Sequence, residues 1–195
     1  MTSSIVSILA IPGSIRQGSY NRLLLESATR AATADMTIRI YDELGTLPLF
    51  GEDSEKATGG TGPDAVVRLR RAVALADGLL ISTPEYNQSV PGVLKNALDW
   101  LSRAGPDEVL IGKPVAVIGA SAGRWGTRLA QAAVRQTLYA TESVVLPAPA
   151  LYVREAARVF DATGQLADAG IQKQLENVLA AFARWIELIG TRFRH

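Results

Sequence analysis

Ile5-Val6-Ser7-Ile8-Leu9-Ala10-Ile11 leads straight into Pro12-Gly13-Ser14-Ile15-Arg16-Gln17-Gly18-Ser19-Tyr20-Asn21, and Arg22-Leu23-Leu24-Leu25 then begins a helical period. An apolar run, a small-residue loop and a helix start follow one another. A strand that is apolar along its length belongs in a sheet covered on both faces. The same unit repeats downstream: runs rich in Val, Ile and Leu at 37–41, 78–82, 114–119 and 143–146 predict four more buried strands. Helical patterns at 20–34, 64–75, 91–103 and 124–139 have the length of crossover helices between them. The expected class is α/β, a five-stranded parallel sheet with helices on both faces, built as one domain over residues 1–195.

A last helix is expected over 168–189, where Ile171, Leu175, Val178, Leu179, Phe182, Ile186 and Ile189 recur at spacings of three and four and form one apolar face. Phe182 and Trp185 are assigned to packing or subunit contact. The segment 53–63, which contains Thr58-Gly59-Gly60-Thr61-Gly62-Pro63, has loop composition and reads as a mobile surface connection.

Composition narrows the chemistry. Of 195 residues, 48% are apolar and 20% charged, with a net charge of +1. That is the balance of an ordinary globular domain, with no field to draw nucleic acid or an anionic membrane. Small molecules are the expected partners. Cysteine is absent, which removes disulfides, thiolate nucleophiles and cysteine-ligated metals, so redox chemistry must come from a bound cofactor. The single histidine, His195, ends the sequence and reads as a frayed terminus rather than a base or metal ligand. No metal site and no catalytic side chain are assigned. The apolar opening lacks a basic leader and is too short to span a membrane, so it predicts a buried strand of a cytoplasmic protein.

The loop after the first strand suits a phosphate. The first amides of a helix lack intrahelical partners and the helix dipole there favours an anion. Gly13 and Gly18 let the backbone curl inward, Ser14, Ser19 and Asn21 add short donors, and Arg16 adds a fork of N–H groups. Two nucleotide signatures fail. Ser19 stands where the Walker loop needs Lys, and Ile15 stands where the dinucleotide fingerprint needs its second glycine. A single phosphate is favoured over a pyrophosphate, and helix capping by Ser and Asn is the plain alternative.

The third strand runs into Thr83-Pro84-Glu85-Tyr86-Asn87-Gln88-Ser89-Val90-Pro91, a loop shaped by two prolines. In a doubly wound sheet this loop borders the crevice where strand order reverses. Its backbone amides and Asn87 can meet the polar edge of a flavin, and Tyr86 can wall the ring. An exposed structural turn is the alternative. Gly119-Ala120-Ser121-Ala122-Gly123 is a third wall, where Ser121 either touches the flavin or permits a tight turn.

These three loops, in this order and at these strand ends, make the chain resemble the NADPH-dependent FMN reductase family, which includes flavodoxin-like quinone, chromate and azo-dye reductases. The motifs are Gly-Ser-x-Arg-x-x-Ser-x-Asn from Gly13 to Asn21, Pro84-Glu85-Tyr86-Asn87, Ser89-Val90-Pro91-Gly92 and Leu94-Lys95-Asn96-Ala97. Phe160-Asp161-x-x-Gly164 also resembles a family feature. The likeness spans nearly the whole chain. It implies a flavodoxin-like sheet of order 2-1-3-4-5, FMN as cofactor, and NADPH or NADH as co-substrate. It also implies Ser14, Arg16, Ser19, Tyr20 and Asn21 around the phosphate, and Pro84, Glu85, Tyr86, Asn87 and Ser121 around the ring. A homodimer or homotetramer follows from the same likeness, with a partner chain bordering the pocket. The chain departs from the pattern after Gly123: where many members carry an arginine just before Ala-Gln, it has Trp125-Gly126-Thr127-Arg128-Leu129 ahead of Ala130-Gln131.

The implied activity is hydride transfer from NAD(P)H, in ping-pong order, to quinones, free flavin, azo dyes or metal oxyanions. The rival reading is an electron carrier or flavin-binding module with no nicotinamide reaction of its own. Strong surface acidity would mark such a carrier, and this chain is near neutral. An apo scaffold is a third reading.

Overall fold

In the computed structural model, which describes residues 5–103 and 108–193, the opening run is the strand β1 (Val6–Pro12). His195 lies outside the described residues. Along β1, Val6, Ile8 and Ala10 enter one core while Leu9 and Ile11 enter another. The two-residue period of a strand is why a run apolar at nearly every position needs cover on both sides. β2 (Met36–Ile40) and β3 (Gly78–Ser82) flank β1, and β4 (Pro114–Ala120) and β5 (Val144–Val145) extend the sheet beyond β3. All pairs are parallel, in the expected order β2-β1-β3-β4-β5.

Two helices close the first core: α1 (Tyr20–Arg30) supplies Leu24 and Leu25, and α6 (Ala169–Phe193) supplies Leu175, Val178, Phe182 and Ile186. α3 (Asp64–Ala74), α4 (Gly92–Leu101) and α5 (Arg128–Ala140) close the second with Leu69, Val73, Leu94, Leu98, Val134 and Leu138. Each such side chain taken from water contributes about 1.5–3 kcal/mol. Burial on the sheet, more than helix propensity, therefore holds these helices. Phe182 is fully buried as expected, and Trp185 Nε1 donates to the Val144 carbonyl at 3.0 Å. Among the described residues no helix is long and apolar enough to cross a membrane.

The structure differs from the sequence reading at several places, among them the end of α6, which runs to Phe193 rather than 189. The fifth strand is cut to Val144–Val145, and a sixth, β6 (Leu151–Val153), pairs with the upper part of β4 from Ile118↔Leu151 to Ala120↔Val153. Between them Pro147 and Pro149 have no N–H to give to a ladder, so one edge of β4 is shared by two short segments. α1 stops at Arg30 rather than 34 because the Met36 amide closes onto the Thr33 carbonyl at 3.0 Å and the Thr33 hydroxyl bonds the Asp35 carboxylate.

Part of the segment read as a loop is a helix, α2 (Glu52–Ala57). Glu52, Asp53 and Glu55 in its first turn suit the helix dipole, and Arg103 Nε donates to both Glu55 oxygens at 3.2 and 3.0 Å. α5 starts at Arg128 rather than 124 because Gly126 adopts φ +69°, with its backbone set closely against Tyr152 and Arg154.

Candidate functional site

The strand register places the carboxyl ends of β1, β3 and β4 side by side, with Pro12 opposite Ser82 and Ser82 opposite Ile118. Strand order reverses at β1 and β3, so the loops leaving them part and a crevice opens between. A cavity of about 230 Å³ lies there. Ser14, Arg16, Ser19, Tyr20 and Asn21 form one side, Pro84, Glu85 and Tyr86 the second, and Ala120, Ser121 and Ala122 the third. Every residue expected from the sequence lines the cavity except Asn87.

The first two loops are seamed together. The Gly13 amide donates to the Ser82 carbonyl at 2.8 Å, and the Ser14 and Tyr86 hydroxyls lie 3.2 Å apart. Ser14 Oγ also accepts the Arg16 amide at 3.2 Å. Ser19 is the N-cap of α1 and lines the cavity, and its hydroxyl makes no capping bond to the helix. The Arg16 guanidinium folds over its own loop, with Nη1 on the Gln17 carbonyl at 3.1 Å and Nη2 on the Gly18 carbonyl at 2.9 Å. A guanidinium has five donors, so this leaves N–H groups and a full charge at the mouth.

Asn21 and Glu85 line the cavity but act as braces. The Asn21 Nδ2 donates to the Ala120 carbonyl at 2.8 Å, while Oδ1 accepts the Ala120 amide and the Ser82 hydroxyl, both at 2.9 Å. One buried side chain thus ties α1 to the ends of β3 and β4. Glu85 Oε2 accepts the Leu129 and Ala130 amides at 2.8 and 3.0 Å, capping α5 from outside the helix.

Asn87 stands at the tip of a tight turn closed by Tyr86 and Ser89, whose amides and carbonyls pair reciprocally at 3.2 and 3.0 Å. Asn87 and Gln88 have φ of 49° and 61°, the left-handed pair of a two-residue hairpin turn, and Asn tolerates that region better than most residues. Its position follows from the turn. Ser121 lines the cavity, and its Oγ accepts the Gly123 amide at 3.0 Å within the turn that the small residues permit.

A profile described as NADPH-dependent FMN reductase matches residues 6–158. The chain belongs to that family. It is 42% identical to an NAD(P)H-dependent FMN reductase of Pseudomonas aeruginosa over 93% of this chain and 95% of that one. It is 36% identical to a 2-hydroxy-1,4-benzoquinone reductase of Burkholderia over 93% of this chain and 96% of that one. Among solved structures, FerB, a flavoenzyme NAD(P)H:(acceptor) oxidoreductase of Paracoccus denitrificans, superposes with a TM-score of 0.84 at 34% identity, covering 94% of this chain and 98% of that chain.

In this FMN reductase family member, a second layer behind the site was not legible beforehand. Tyr20 stacks on Phe160 with ring centroids 5.9 Å apart, and Phe160 is set by a hairpin bridge to Leu166. The turn of that hairpin is the Asp161-x-x-Gly164 motif: Asp161 Oδ1 accepts the Thr163 hydroxyl at 2.7 Å and the Thr163 and Gln165 amides at 2.8 and 3.0 Å. The motif was visible in the sequence, but its contact with Tyr20 was not. The Thr163 hydroxyl first, then the Gln165, Thr163 and Gly164 amides, hold the Asp161 carboxyl below the ordinary carboxylate range.

A carboxyl with a lower pKa folded than unfolded adds stability above its unfolded value, near 3.9, and loses it as pH falls through the folded value. Asp161→Asn is therefore expected to have a flatter acid limb, with the parent's melting temperature falling toward the variant's between pH 4 and 2. Parallel pH profiles for the two proteins would show that the charge contributes nothing to the turn.

Proposed function

We propose that the cavity binds FMN, with the phosphate held by the 14–21 loop and the start of α1, and the ring between Pro84, Tyr86 and the small residues at 120–122. The chain is an FMN-dependent NAD(P)H oxidoreductase with small quinones as acceptors. The observation that carries the assignment of the site is the meeting of three loops, far apart in sequence, around one cavity at the strand reversal.

The donor set fits the phosphate. Ser14 and Ser19 hydroxyls, the first amides of α1 and the Arg16 charge all lie on one side. Glu85 is the one acid among the described lining residues, and its carboxylate is committed to α5 amides. Ala120 and Ala122 leave a low wall that a planar ring can approach. Closed pockets for ligands of this size run to roughly 300–1,000 Å³, so a cavity of about 230 Å³ leaves part of the ring on the open side.

When bound, FMN supplies the hydride-accepting and hydride-donating chemistry. The protein positions it, and no cysteine or interior histidine is available to serve as an acid, base or nucleophile. Reduced nicotinamide and acceptor take the open face in turn, a ping-pong order that gives parallel double-reciprocal plots. The exposed Ile15 and Tyr86 beside the cavity support a homodimer or homotetramer in which a second copy borders the pocket, and a single-chain mass by light scattering would remove it. Residues 1–195 form one flavin-binding domain on this reading, working in the cytoplasm.

The purified protein is expected to be yellow, to release FMN on denaturation and to bleach when mixed anaerobically with NADPH. Arg16→Ala is expected to weaken FMN binding by roughly ten- to a hundredfold, since a hydrogen bond to a charged group is worth roughly 1.5–3 kcal/mol. Protein that is colourless and shows no FMN-induced rise in melting temperature would refute the assignment.

A further inference from the structure

A second cavity of about 370 Å³ lies beside the stretch of chain that leaves the first. The two share one stretch of chain: Ser121 and Ala122 line the first, Arg124 and Trp125 the second. Three residues of chain span at most about 10 Å. Arg128, Tyr152 and Arg154 complete the charged and aromatic walls. The side-chain-free Gly126 allows this, because its turn lies so close to Tyr152 and Arg154 that a Cβ would sit 3.1 and 3.4 Å from their side-chain carbons.

Three arginines thus line one cavity, and among the described residues none has a carboxylate within ion-pair distance. The nearest acid in the sequence, Glu155, is paired with Arg158 at 3.0 Å. Glu85, the acid next to α5, is held by the Leu129 and Ala130 amides. Like charges gathered without a counter-ion repel one another until an anion joins them. This happens on a chain whose 20 basic and 19 acidic residues otherwise nearly balance. The Arg124 guanidinium also lies 4.8 Å over the Trp125 ring, making a flat plate of the kind that nucleobases stack on.

We propose that this cavity binds the phosphorylated adenosine end of NADPH, with Arg124, Arg128 and Arg154 holding its 2′-phosphate, so that the enzyme prefers NADPH to NADH. The proposal rests on the oxidoreductase reading above. A dianionic monoester suits several guanidinium forks at once, and the aromatic plate suits adenine. The position fits as well, because a dinucleotide whose nicotinamide reaches the flavin carries its adenosine end away from the ring, and the 121–125 stretch leads from one cavity to the other. NADH lacks the monoester, and a neutral quinone has no use for three cations.

The test compares 2′,5′-ADP with 5′-ADP as ligands of the holoenzyme, by calorimetry at low salt. At least tenfold tighter binding of 2′,5′-ADP is expected. Arg128→Gln and Arg154→Gln are each expected to weaken 2′,5′-ADP about tenfold and to lower the ratio of kcat/KM for NADPH to that for NADH by a similar factor, at parental flavin content. Equal binding of the two nucleotides would overturn the proposal. So would an unmoved cofactor ratio in both variants, or a change of oligomeric mass, which would make the arginines an interface between copies. Failure of both nicotinamides to bleach the flavin would sink the oxidoreductase reading instead, while the nucleotide comparison would still decide whether the subsite exists.

Discussion

Asn21→Asp is expected to lower the folding stability by about 2–4 kcal/mol and to weaken FMN binding tenfold or more. The side chain is only 2% exposed, and it joins three strand and helix ends through the Ala120 carbonyl, the Ala120 amide and the Ser82 hydroxyl. Asp is nearly the same shape, so no cavity forms, but the donor on the Ala120 carbonyl becomes an oxygen facing an oxygen. A buried polar group left without its partner costs about 1–3 kcal/mol, and more when a charge is involved. The new negative charge would also stand beside the place proposed for the phosphate.

Protonation restores the missing donor, which gives the prediction a pH signature. The introduced carboxyl has a higher pKa folded than unfolded, so its stabilising protonated form is fully present below the unfolded value and is lost as pH rises through the folded value. The deficit against the parent should therefore be larger at pH 8 than at pH 5. Each kcal/mol corresponds to about 2–4 °C in melting temperature for a chain of this length. A parental melting temperature at pH 8, or a parental FMN affinity, would mean that the brace is dispensable.

Gly119→Ala is expected to destabilise by about 3 kcal/mol or more, the upper part of the range for overpacking a close-packed interior. A Cβ at this position would lie 2.1 Å from Thr127 Oγ1 and 2.4 Å from the Thr83 carbonyl oxygen. Thr83 and Thr127 are both fully buried, and Thr83 begins the loop that carries Pro84 and Tyr86. The relief routes are poor. Turning Thr127 away gives up its bond from Gln131 Nε2 at 3.0 Å, in a place where Gln131 Oε1 already lacks a partner.

Moving Thr83 instead shifts the ring-side loop, so FMN affinity should fall along with stability. Adding Thr127→Ala removes one clash and leaves the other, and is expected to rescue the melting temperature only in part. Full rescue would show that the Thr83 backbone does not constrain this position. A tolerated Gly119→Ala would show that β4 moves more freely here than its burial implies.

Much of the site was legible in the sequence because its information is local. Each binding loop follows a strand and precedes a helix, and both elements announce themselves by periodicity. The residues between them must then sit at the carboxyl edge of a parallel sheet. What each side chain does there was far less legible. Asn21 and Glu85 had the chemistry of ligand contacts, but their partners, Ala120 for one and Leu129 and Ala130 for the other, lie far along the chain. Asn87 had the chemistry of a donor and serves a turn.

The sequence by itself determined the α/β class, the covered parallel sheet, the strands that carry the loops and nearly all the residues that line the first cavity. Those follow from hydrophobic period and turn composition, which act over a few residues. Only the tertiary structure decided that β4 shares one edge between β5 and β6, that Glu55 and Arg103 hold α2, that Phe160 supports Tyr20, and that Arg154 joins Arg124 and Arg128 around a second cavity. Each of these depends on a contact between segments distant along the chain, and such a contact leaves no period in either segment for a linear reading to detect.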